Sequence, residues 1–427
     1  MRALLAAPSL LYLATLTVML FRPPDLDFHS VDRIAFGLLV FLVLLRALLL
    51  HEAWRPPRRI VLPMVGLCLL VLTDLVSRPF EIQMWSVAAA KYFVPYMMFF
   101  LAGVVFRDSA RVRHFEFLLL LVLAYLIYLA LASLAHLDGL IFPKYILDPG
   151  LGLNAMRARG PFLQPVANGA ALNMLGLIAF DSFERKRLRG ASAWILLGGL
   201  PVAVLATLTR SVWLGFGISV ILLLRWTHNR WVRRVCTTFV IAGALTLLAA
   251  VAENQCDTPG GRLRDQDTVD FRLAAYRAGW TMFEEHPLLG WGSSVVQTEL
   301  ADRIEGFKGD VFVVHNTYFE ILLEHGVVGC AMFAWLIAGL VGIGRRTARI
   351  DGAEEGGFLE GRAGRRLWLL LLSVYFINAT FVVMNYQFVN GLLFTVAGIL
   401  AMRQQRGEAT AMCEVELKNA GRRFGGD

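Results

Sequence analysis

Apolar runs of about 17 to 21 residues recur along almost the whole chain, each long enough to cross a hydrocarbon layer of roughly 30 Å at 1.5 Å per residue. A backbone in lipid must satisfy its own polar groups, so these runs predict helices, and the fold class is an all-α, polytopic membrane bundle. The runs fall at 3–21, 34–50, 60–76, 87–106, 115–135, 164–180, 192–208, 212–226, 235–251, 327–343, 367–384 and 388–402, about twelve spans. The first has no small-residue cleavage site and is followed at once by another, so it reads as a retained span rather than a signal peptide. The chain thus divides into nine spans over 1–251, a long polar segment over 252–326, three more spans over 327–402 and a tail over 403–427. The tail is polar and of mixed charge, which reads as disorder.

Within the long segment, "FRLAAYRAGWTMFEEHPLLGW" carries apolar and aromatic residues at helical spacing, with Pro287 and glycines closing it. One or two amphipathic helices lying over the bundle are expected there. No internal repeat is evident, which weakens a reading as an inverted-repeat transporter.

Charge then sets the orientation. The loops at 51–59, 107–114, 181–191, 227–234 and 344–366 are rich in arginine, and the positive-inside rule makes them cytoplasmic, with both termini on the same side. The net charge of +8 therefore reports topology and not nucleic-acid binding. Composition agrees, at 57% hydrophobic and 17% charged with a mean hydropathy of +0.59. Five scattered cysteines form no framework, and only Cys256 falls in an outward polar region, so no disulfide is expected.

Five arginines break the charge rule. Arg157 and Arg159 in "RARGPFLQP", Arg210 in "TLTRSVWLGFG", and Arg272 and Arg277 in "FRLAAYRAGW" all fall at the outer face. Guanidinium is permanently charged and grips phosphate oxygens in pairs, so several converging there would hold a phosphorylated, lipid-anchored ligand. Taken singly, each could equally snorkel to lipid phosphate. Arg210 is the sharpest case, pinned in a short turn between two apolar runs. Close to the same face, "VVHNTYFEILLEHGVVG" places His315 and Asn316 at a helix start. A neutral imidazole there can take a proton from a hydroxyl, while Asn316 or Thr317 can cap the helix. His286 and His325 are rival bases, His325 the weaker for sitting at a helix-to-membrane junction. Arg46, Asp74 and Lys91 lie inside apolar runs and should face the bundle interior. No His, Cys, Asp or Glu grouping has metal-ligand spacing, and no glycine-rich loop follows a strand, so no metal or cofactor is expected.

Four segments in order carry a family resemblance. The run from His315 through Gly326 to Gly329 reads HNx9GxxG and resembles the signature of bacterial O-antigen ligases and the related O-antigen and exopolysaccharide polymerases. "RARGPFLQP" resembles that family's Arg-x-x-Gly-x-Phe-x-x-Pro segment, "TRSVWLGF" its Ser/Thr-Arg-Ser turn, and "HPLLGWGSS" its Asn/His-Pro-Leu-x-Gly-x-Gly segment. The likeness spans roughly residues 60–400. It implies a metal-independent, inverting glycosyltransferase of the bacterial inner membrane, working at the periplasmic face on a glycan carried by undecaprenyl diphosphate. It implies that His315 activates the acceptor hydroxyl and that Arg157, Arg210 and Arg272 hold the diphosphate. Arg159 is an extra arginine in its segment and could replace or assist Arg157, and Arg277 could share the role of Arg272 or face solvent. The acceptor is lipid A-core in a ligase or a second lipid-linked glycan in a polymerase, and HNx9GxxG favours the ligase. The rival class is a non-catalytic lipid-glycan transporter, which would use the arginines but have no need of His315.

Overall fold

A computed structural model describes residues 2–22, 31–50, 54, 56–152, 154–227, 230, 233–234, 237, 267–304, 314–350 and 357–424. Among these residues every extended element is helical. They run α1 (Arg2–Leu20), α2 (Val31–Leu50), α3 (Arg58–Val76), α4 (Ile82–Ala88), a π-helical turn at Ala89–Phe93, α5 (Val94–Val105), α6 (Ser109–Leu134), α7 (Pro165–Glu184), α8 (Gly190–Ala206) and α9 (Arg210–Trp226). After these come α10 (Asp267–Glu285), α11 (Val296–Arg303), α12 (Thr317–Ile350), α13 (Gly361–Ala379) and α14 (Gln387–Phe424). Among the described residues five helices are long and apolar enough to cross a membrane: Arg58–Val76, Ile82–Val105, Ser109–Leu134, Pro165–Glu184 and Thr317–Arg346. Apart from Thr237, the expected run at 235–251 lies outside the described residues, as does Cys256.

The hub is α7. Pro165 opens it at the first helical position, where a missing N–H costs nothing, and 89% of its apolar window is buried. A helix apolar all round belongs inside a bundle, and α6, α8, α9 and α13 surround this one. A second layer packs α5 against α14 and sets α12 between α3, α13 and α14. Outward-facing Leu48, Leu69, Phe117 and Ile195 leave the bundle an apolar exterior suited to lipid.

At one end charged groups clamp the helices together. Glu116 on α6 accepts from Arg187 Nε at 2.8 Å and from Ser182, while Asp181 accepts from Arg187 Nη2 at 2.8 Å and Arg185 Nε at 3.1 Å. Arg185 continues to the carbonyls of Gly357 and Glu360, and Arg403 reaches that of Phe358. The start of α13 is thereby fixed beside the end of α7, so the end of α13 returns to the beginning of α7 at the opposite pole.

Two elements differ from the sequence reading. The tail expected to be disordered continues α14 as helix to Phe424. Between Gly407 and Gly421 it contains only residues a helix accepts, many of them strong formers such as Glu, Ala, Met, Leu and Lys, so polarity there is compatible with helix. The run expected to begin at 327 is instead the second part of α12, which starts ten residues earlier and breaks at Gly326 (φ 60°, ψ −159°).

Candidate functional site

The pole opposite the clamp collects the arginine segments. Asn168 Nδ2 on α7 donates to the Ala158 carbonyl at 2.8 Å, and Asn173 Nδ2, one turn and a half further on, donates to that of Val212 at 3.1 Å. The Ala158 N–H donates in turn to the Ala206 carbonyl at 3.1 Å. Two buried asparagines of the hub helix therefore hold the Arg157 segment against the α8–α9 turn that carries Arg210. Arg210 is the first residue of α9, after a turn in which Leu208 takes a left-handed φ of 46°. A cation at a helix N-terminus opposes the dipole, and both attract an anion.

Arg157 and Arg159, which the sequence does not separate, have different surroundings. Arg159 is 1% exposed, and its guanidinium donates to the carbonyls of Ile146 (2.9 and 2.7 Å), Asp148 (2.5 Å) and Leu151 (2.5 Å). It braces the loop between α6 and α7. Arg157 is half-buried at the surface of the same loop.

The histidine segment meets this region through the 380–388 turn. Thr317 Oγ1 donates to the Val382 carbonyl at 2.8 Å and accepts from the Met384 N–H at 3.0 Å, while Phe162 from the arginine segment packs its ring against Tyr386 and Phe388. Asn316 caps α12, its Oδ1 accepting the N–H groups of Tyr318 (3.0 Å) and Phe319 (3.2 Å), and its Nδ2 reaches the Tyr276 hydroxyl at 3.4 Å. His315, just outside the helix, is half-buried. Burial, and then the positive charge of Arg272, hold its pKa below the usual histidine value, which favours the neutral ring. Arg272 is the sixth residue of α10, with its Nε buried and without a hydrogen-bond partner among the described residues. Arg277 is exposed and borders an open groove of about 500 Å³ with Tyr276, Trp280, Asn316 and Phe319.

The glycine motifs around the histidine are structural. The Trp291 and Gly292 N–H groups donate to the Leu323 and Glu324 carbonyls at 2.9 Å each, and the Val327 and Val328 N–H groups donate to the Pro287 and Leu288 carbonyls at 2.9 and 3.2 Å. The break at Gly326 frees these groups, and the "HPLLGWG" strap takes them up. A side chain at Gly326 would demand a left-handed conformation and run into the Leu288 carbonyl.

The rival histidines stand elsewhere. His286 is exposed and lies edge-on to Trp291, and His325 is 2% exposed with Nε2 3.6 Å from Glu324 Oε2. Lys91, on the π-helical turn, reaches Glu320 at 2.8 Å and Glu324 at 2.7 Å, all three buried. Asp74 accepts from Ser293 Oγ at 3.0 Å, the Ser294 N–H at 3.3 Å and Arg78 Nε at 3.0 Å, which anchors the strap to α3. Arg46 is half-buried on α2. Sequence reading had placed Lys91 and Asp74 in the interior without partners for them. It missed the groove aromatics as well, although Tyr276 and Trp280 at i, i+4 on an amphipathic helix were the available signal. Among the described residues no group of three or more His, Cys, Asp or Glu side chains could hold a metal ion.

A polytopic helical membrane protein with a histidine and several arginines gathered at one pole of its bundle is thus the class that fold and site define. Residues 191–334 match the Wzy_C family model, described as O-antigen ligase, so this third of the chain is similar to that family. The match includes Arg210, Arg272, Arg277, His315 and Asn316 and begins after Arg157 and Arg159. No curated protein matches the chain.

Proposed function

We propose that the protein transfers a glycan from undecaprenyl diphosphate to an acceptor hydroxyl at the periplasmic face of a bacterial inner membrane, with lipid A-core as acceptor. The observation that carries this reading is a half-buried His315 close enough to Arg272 to feel its charge, at the pole where the Arg157 and Arg210 segments also meet. A ring nitrogen of His315 takes the proton of the acceptor hydroxyl. The hydroxyl oxygen attacks the anomeric carbon as its bond to the diphosphate breaks, and the electron pair leaves on undecaprenyl diphosphate with inversion at that carbon. Arg157, Arg210 and Arg272 stabilise the charge on the departing diphosphate, a contribution of a few kcal/mol for each contact made in the transition state. Arg159 is left out of this set because its donors are occupied by carbonyls. A diphosphate is a good leaving group, so the scheme calls for neither a general acid nor a metal.

In this reading the arginine-rich loops and both termini are cytoplasmic, the bundle has about twelve spans, and residues 252–326 form the periplasmic segment. The ligase is favoured over the polymerase by HNx9GxxG. A strain lacking the protein tests the acceptor: long chains held on undecaprenyl and absent from lipid A-core support the ligase, and single repeat units in place of long chains overturn it in favour of the polymerase.

A further inference from the structure

The groove beside His315 is walled by aromatic rings that the transfer chemistry itself does not use. Trp280 is 51% exposed on α10, and its Nε1 is fixed by Glu284 Oε1 at 2.8 Å. Tyr276, one turn earlier, is held by Asn316 at its hydroxyl and by Phe319 at its ring, edge-on with centroids 5.2 Å apart. A side chain at Gly279 would collide with the Phe319 ring, so glycine there lets α10 lie directly on α12 and brings both rings beside the helix start that carries the histidine. The rings are thus oriented before any ligand arrives. The polar rim comes from Arg277 and Asn316, and the volume of about 500 Å³ lies in the small-ligand range of roughly 300–1,000 Å³.

This combination suits a sugar ring, which has apolar C–H faces and hydroxyls around its edge. It suits a diphosphate less well, since Arg277 is the only cation among the described residues lining the groove. We propose that the groove is an acceptor subsite, in which a pyranose ring of the acceptor stacks on Trp280 and Tyr276 while Arg277 and Asn316 bond its hydroxyls. The proposal rests on the reading of His315 as the base, because the acceptor hydroxyl must lie beside the group that deprotonates it. The rival occupant is membrane lipid, since tryptophan also favours the membrane–water interface.

Steady-state transfer in proteoliposomes tests it, with undecaprenyl-diphosphate glycan as donor and, in separate series, lipid A-core and undecaprenyl-diphosphate repeat unit as acceptors. Each acceptor is also used trimmed of its terminal sugar. Trp280→Ala should raise KM for the productive acceptor about tenfold with little change in kcat or donor KM, and Trp280→Phe should recover most of the loss. With the trimmed acceptor the difference between Trp280→Ala and wild type should vanish. An unchanged acceptor KM, or a rise in donor KM instead, overturns the subsite. A penalty that persists with the trimmed acceptor overturns it in favour of a lipid contact. His315→Ala in the same assay separates the two claims: its activity decides the base, whereas the KM ratios for Trp280 decide the subsite.

Discussion

Between His315 and His325 the chain carries two polar clusters that differ in almost every physical respect. The deeper one joins Lys91 to Glu320 and Glu324, all at least nine-tenths buried, with the partners drawn from helices more than two hundred residues apart. The outer one holds a half-buried His315, an Arg272 with a buried Nε that no described residue satisfies, and an open groove. In the first, charge is spent on protein; in the second, polar capacity remains for a ligand. Burial likewise separates Arg159, enclosed and bonded to carbonyls, from the half-buried Arg157 two residues away. Residue type alone therefore does not identify a site, and what its donors already hold decides between bracing and binding.

The comparison breaks most readily at Lys91. Lys91→Met would leave two buried carboxylates without their cation, and loss of one partner of a buried pair costs about 3–5 kcal/mol. A large fall in thermal stability in detergent is expected, with Lys91→Met/Glu320→Gln/Glu324→Gln restoring much of it. A Lys91→Met protein as stable as wild type would show that the inner cluster is not a clamp.

Arg210→Lys should do the opposite, leaving stability unchanged while transfer falls about ten- to a hundredfold, because charge is kept and the two-pronged grip is lost. Wild-type transfer would return Arg210 to the status of a lipid-facing arginine. The smallest effect concerns pH. His315 works as a base only when neutral, so activity should fall on the acid side through its depressed pKa, below the usual 6.5. Arg272→Gln removes one of the two causes of that depression and leaves burial, so the acid limb of kcat/KM should move to higher pH. An unmoved limb would separate Arg272 from the histidine, whatever happens to the rate.

Much of this was legible from pattern. Helix positions followed from apolar run length, and the placement of His315 and Asn316 at a helix start followed from the switch between polar and apolar residues. The five arginines stood out because they fall between the arginine-rich loops, where the positive-inside rule disfavours them. What the sequence concealed were contacts between distant segments. Nothing local links Lys91 to Glu324, or the "HPLLGWG" strap to carbonyls freed at Gly326. The difference between Arg157 and Arg159 depends on where the Ile146 and Asp148 carbonyls point, which no spacing rule conveys. The tail misled because disorder was read from polarity while its helix-forming composition was passed over.

The central claim is that the outer cluster performs chemistry and the inner one does not. The most direct measurement is the single-turnover transfer rate of His315→Ala in proteoliposomes at saturating donor, with donor binding and thermal stability recorded on the same preparation. The account predicts a loss of about 10²–10⁴-fold, the usual worth of a positioned base, with binding and stability close to wild type. A His315→Ala protein that transfers glycan at the wild-type rate would contradict it.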